Sequence, residues 1–221
     1  MKFDTGILFA GFIALIPISG VCVDNLKADT NNMKDRGGDV DFNAESESSA
    51  PVISDREWNT SAKLWIARAM VSEAGWNETT DHVAIAYVLY RRWIQVRRKY
   101  PKFPIRGVVM RYCAGFGKTV YSTRQKWVKN LEEDGTRPKG WPSDISWNDY
   151  KDRWLAVLNT AEEWKQGLHP DPCGGISRYW GGPMDKPSKR MVRMNCGKTR
   201  NYFYTVRNLL PKAELTDSDS K

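Results

Sequence analysis

The stretch Ser61–Gly75, SAKLWIARAMVSEAG, carries apolar residues on nearly every face of a helical wheel. That pattern belongs to a helix enclosed by the rest of a domain, not one laid on its surface. Gly75 is a natural C-cap. After the polar turn Trp76–Asp81 (WNETTD), a second helix follows in His82–Tyr100 (HVAIAYVLYRRWIQVRRKY), apolar in its first half, basic in its second, and stopped by Pro101. Pro104 opens a short helix, Ile105–Cys113. Ser146 is placed to cap a long amphipathic helix with Asp149 at its third position. That helix buries Trp154, Leu158, Ala161 and Trp164 and ends at Gly167. The remainder reads as turns and short extended pieces rich in aromatics. The expected class is mainly α (α+β), with an irregular aromatic C-terminal part.

Working outward, the ends differ from the middle. Gly6–Val23 is an apolar run of 18 residues, preceded by Lys2 and followed by Asp24. It is expected to be a signal peptide (1–23) or a retained N-terminal membrane anchor. On that reading the protein is exported, periplasmic or extracellular. Residues 24–56 are polar and acidic with few aliphatics, too poor in apolar surface to offset ordering entropy, and read as a disordered linker. A similar flexible tail is expected at 213–221. The folded unit is then 57–212, a span within which 28 basic residues face 14 acidic ones, a net of +14. Such an excess favours an anionic partner without choosing one. The leader and the lack of a recognisable nucleic-acid motif set nucleic acid aside.

If Cys22 leaves with the leader, Cys113, Cys173 and Cys196 remain. Cys173 (DPCGG) and Cys196 (MNCGK) lie in loop-forming stretches and are expected to form a disulfide, with Cys113 buried as a thiol. Two histidines and no metal-ligand spacing argue against a metal site, and no cofactor is expected.

One carboxylate is out of place. The residues three, four and seven positions before Glu73 are Met70, Ala69 and Ile66, so its helix face is apolar. It also sits in the last turn, where the macrodipole disfavours a negative charge. Both effects raise a carboxyl pKa, as a general acid requires. A bland alternative stands beside this: a bond to a turn amide, or a pair with Arg68. Glu78 and Asp81 are the nearest candidates for a second carboxylate, or simply cap the second helix. Tyr179, Trp180, Tyr202 and Tyr204 could stack on sugar rings, or be ordinary core. Arg91, Arg92, Arg97, Arg98 and Lys99 read as the exposed end of a helix.

The run Ala67–Ala74 (ARAMVSEA) resembles the A-R-x-x-x-x-E-A motif of the SleB-type cell wall hydrolases, the spore cortex-lytic enzyme family. Four further pieces follow in the family's order: His82–Trp93, Tyr100–Phe116, Asp171–Gly175 and Tyr202–Tyr204. The resemblance covers roughly Lys63 to Val206. It implies a lysozyme-like fold and cleavage of peptidoglycan between N-acetylmuramic acid and N-acetylglucosamine, by a monomer. Glu73 takes the acid/base position. A lytic transglycosylase needs only that one residue, because the muramic 6-OH serves as nucleophile; a muramidase or an inactive wall-binding module are the alternatives. Tyr90, Gly115, Cys173 and Asn201 stand where the family commonly has Asn, Gln, Thr and His, and Lys118–Pro142 has no counterpart.

Overall fold

A computed structural model describes residues 51–116, 126–181 and 189–210. The segments expected to be a leader (1–23) and a tail (213–221), and most of the expected linker 24–56, lie outside the described residues. Four α-helices are found among those described: α1 (Thr60–Ala74), α2 (Thr79–Lys99), α3 (Ile105–Tyr112) and α4 (Asn148–Lys165). Three short strands follow, β1 (Tyr179–Gly181), β2 (Met191–Arg193) and β3 (Tyr202–Val206), in an open antiparallel sheet of order β1-β3-β2.

Helix α1 is the axis of the core, as its all-round apolarity requires. Ile66, Ala67, Ala69 and Met70 are fully enclosed, and α2, α3 and α4 all pack against it. Asn59 caps its start by accepting from the Ala62 amide, and Gly75 ends it at φ +79°, with its N–H on Val71 O. From Asp81 to Leu89 α2 is buried, while at its basic end Arg98 and Lys99 are exposed and Arg97, expected to be exposed, is half-buried and pairs with Glu57. Trp154 and Trp164 of α4 are completely buried, Trp164 meeting Trp58, Tyr87 and Tyr90.

Several expectations are corrected. Arg91 and Arg92 are buried, not exposed. Arg91 pairs with Asp171 and donates to Ser177 O and Oγ. Arg92 donates to Arg178 O and lies 4.2 Å from the ring centroids of both Tyr112 and Tyr179. A flat guanidinium fork can satisfy strand carbonyls while its faces pack on rings, which makes burial tolerable. Ser146 does not cap α4: Trp147 occupies that position without a side-chain cap, its indole N–H held by Gly135 O at 2.9 Å. Residues 51–56 pack on the domain instead of trailing from it. Ile53 joins the core and the Val52 amide donates to Tyr90 Oη at 2.9 Å. The expected localisation is also corrected. Among the described residues no helix is long and apolar enough to cross a membrane, and the reading as an exported, anchored protein is withdrawn. The run Gly6–Val23 on which it rested lies outside the described residues.

The described part of Lys118–Pro142, from Lys126 on, builds an aromatic cluster with the start of α4. Trp127, Trp141, Trp147 and Tyr150 gather around Trp76, which follows the α1 cap. Arginine and indole donors reach carbonyls of the loop over 131–147. Arg68 donates to Leu131 O, Trp154 to Glu132 O and Trp141 to Ile145 O.

Cys173 and Cys196 form the expected disulfide, and Cys113 is buried outside it. The bond closes a loop with a sequence separation of 23. Replacing both cysteines by serine is expected to lower the unfolding free energy by about 3 kcal/mol. Urea denaturation would measure this, and a loss below about 1 kcal/mol would show that the loop ends are held together without the bond.

Candidate active site

The carboxyl of Glu73 lies where three segments converge. Helix α1 brings it to its own last turn, and only 7% of the residue is exposed. The short 3₁₀ turn Ala114–Phe116, after α3, presents the Gly115 N–H to Oε1 at 3.3 Å. Strand β1 brings the Trp180 indole Nε1–H to Oε2 at 3.2 Å. Ser72 Oγ donates to Oε1 at 3.3 Å. Arg68, an alternative partner on sequence grounds, instead donates to Leu131 O and pairs with Glu132.

These bonds are long beside the 2.7–2.9 Å typical of charge-assisted ones, so each holds the anion weakly. Desolvation outweighs them. Burial pushes the Glu73 carboxyl above its ordinary value, against the downward pull of Trp180, Gly115, Ser72 and the Ala114 amide. Its place at a helix C-terminus acts in the same direction. The result is a carboxyl that holds its proton more firmly than an ordinary glutamate, beside donors that can receive the carboxylate once that proton leaves.

A polar frame fixes the backbone around it. Asn201 Nδ2 donates to Glu73 O at 3.1 Å. His82 lies 2.8 Å from Gly75 O through Nε2; a carbonyl only accepts, so that nitrogen carries the hydrogen. Burial lowers the pKa of His82, keeping the ring neutral. Asp81, fully buried, accepts from the Arg200 and Asn201 amides, each at 2.8 Å. The start of α2 therefore locks both the α1 terminus and the loop before β3.

The two candidate second carboxylates are placed differently. Asp81 spends both oxygens on backbone amides and forms no side-chain cap. Glu78 stands at the α2 N-cap position with no capping bond and pairs with Arg200 at 2.8 Å. Of the aromatic candidates, Trp180 reaches the Glu73 carboxyl and is buried with Phe203, its cross-strand partner. Tyr179, Tyr202 and Tyr204 share the opposite sheet face, since directly paired and alternate residues point the same way. Tyr179 packs on Arg92, Tyr202 lies under the Arg193 guanidinium at 3.4 Å, and Tyr204 is buried.

Sequence reasoning did not single out Gly115, Ser72 or His82 as site residues. Ser72 adjoins Glu73 and could have been found there. Gly115 acts through its backbone and leaves no side-chain signal. Among the described residues no cluster of His, Cys, Asp and Glu could hold a metal.

Set against known proteins, the chain matches no family model, no curated protein sequence and no solved structure.

The raised pKa fixes a sign for stability. An acid whose folded pKa exceeds its unfolded value binds more protons in the fold, so stability is highest below about pH 4.5 and falls as pH rises through the folded pKa. Wild type is expected to lose stability over that window relative to Glu73→Gln, which cannot ionise there. Melting both proteins from pH 4 to 8 checks this, and parallel curves would contradict it.

Proposed function

We propose that this chain cleaves the glycan strand of peptidoglycan between N-acetylmuramic acid and N-acetylglucosamine, as a lysozyme-like, SleB-type lytic transglycosylase. The observation that carries the reading is the carboxyl of Glu73, buried at a helix terminus where desolvation raises its pKa, with Trp180 Nε1 and Gly115 N aimed at its two oxygens. The resemblance of Ala67–Ala74 and the four later pieces supplies the substrate class.

In the reaction, the Glu73 proton passes to the glycosidic oxygen as the bond from the muramic C1 to that oxygen breaks. The glucosamine end leaves as an alcohol. Positive charge develops on the muramic ring, and the new carboxylate is received by the Trp180 and Gly115 N–H groups. The muramic 6-OH then bonds to C1 and gives its proton to Glu73, closing an anhydro ring and restoring the acid. One residue acts as acid and then as base, so no second carboxylate is required. That suits a site in which Asp81 is committed to backbone amides. The net +14 of residues 57–212 suits a polymer whose peptide stems carry carboxylates.

Glu73→Gln keeps the shape of the side chain and removes its acidity. It is expected to lower cleavage of purified peptidoglycan by about 10²–10⁴-fold, the usual worth of a general acid. Mass spectrometry of the soluble products should show anhydromuramyl ends with wild type. Reducing muramyl ends would mean hydrolysis and direct attention to Glu78. No release by either protein, with both bound to the wall, would leave a binding module.

A further inference from the structure

All ten tryptophans fall among the described residues, and seven of them are buried. The other three, Trp58, Trp76 and Trp127, are half-buried. Trp58 spends its indole N–H on Glu162 Oε2 at 2.9 Å. Trp76 and Trp127 differ, because neither indole N–H makes a hydrogen bond among the described residues. Their rings stack nearly parallel, 9° apart with centroids separated by 5.5 Å. Behind them stand Trp141, Trp147 and Tyr150, all in tilted or edge contact with Trp76. Trp141 also meets Trp127 edge-on at 4.8 Å. Trp141 and Trp147 are themselves pinned through their N–H groups to Ile145 O and Gly135 O. The result is an aromatic wall with two N–H donors unpaired among the described residues, three residues past Glu73 across the Gly75 turn.

We infer that Trp76 and Trp127 form a sugar-binding platform that takes N-acetylhexosamine rings of the glycan strand, an assignment that rests on the substrate class proposed above. A pyranose offers one face of C–H groups and a rim of hydroxyl and acetamido oxygens. A half-exposed indole whose N–H has no partner among the described residues complements both. A fixed wall also loses little side-chain entropy on binding. Two features disfavour a cationic ligand caged between the rings: they close on each other, and Lys126 and Lys129 flank Trp127 in its own 3₁₀ turn. Trp76 lies outside the A-R-x-x-x-x-E-A run, and Trp127 comes from the segment without a family counterpart, so the platform belongs to this chain.

The test is calorimetric titration of full-length Glu73→Gln protein with tetra-N-acetylchitotetraose, which separates binding from cleavage. Adding Trp127→Ala is expected to weaken binding about tenfold. Trp127→Phe, which keeps a smaller ring without the donor, should fall between and serves if the alanine variant is unfolded. Trp58→Phe should leave binding unchanged. Equal affinity in a folded Trp127 variant, or no binding by the Glu73→Gln parent, would overturn the platform while leaving wall cleavage by wild type intact. Trp127-dependent binding in a protein that releases nothing from peptidoglycan would instead uphold the platform and defeat the proposed reaction.

Discussion

A single carboxyl group sets the terms for this domain. Glu73 sits at the buried end of the most enclosed helix, and its two oxygens are met by a backbone amide after α3 and an indole from β1. Neither donor is near it in sequence, so the helical core and the small sheet must be assembled before the site exists. Most of the unusual polar burial in the molecule serves that assembly. Arg91, Asp171 and Ser177 fasten the turn before β1 to α2, and Arg92 holds the strand's first residue between α2 and α3. The disulfide ties the same turn to the loop before β3, and Asp81 ties that loop to α2. Buried pairs of this kind are weak sources of stability but strongly resist the loss of one partner. They fix where β1, and with it Trp180, can lie.

The energetics of the carboxyl itself follow from what surrounds it. Three neutral donors at 3.2–3.3 Å compete with nearly complete removal from water, and removal wins. Shorter bonds, or Arg68 turned toward it, would pull the Glu73 pKa back down. Arg68 is turned away because Leu131 O needs a donor inside the core. The loop that carries the aromatic cluster thus also keeps the nearest cation on α1 occupied elsewhere.

The helices were legible because apolar periodicity and Gly75 are local signals. The same holds for Glu73, whose i−3, i−4 and i−7 neighbours are all apolar, and for the disulfide between two loop cysteines. Arg91 and Arg92 read as exposed because the groups they bond or pair with lie eighty or more residues away; nothing in RRWIQVRRK separates a buried guanidinium from an exposed one. Asp81 resembled a helix cap for the same reason, since its two amide partners come from residues 200 and 201. Gly115 acts through its N–H and is silent in sequence. The tryptophans after Lys126 had no period to reveal them, because an irregular loop gathers its side chains by tertiary contact alone.

The most direct measurement is a carbon NMR titration of protein labelled at the glutamate δ-carboxyl, with Glu73→Gln to assign the resonance. The expected result is one glutamate titrating well above the ordinary value of about 4.5 and missing from the variant. If every glutamate titrates at or below that value, Glu73 is ionised at neutral pH. It would then be an anchor for Trp180 and Gly115 and not an acid.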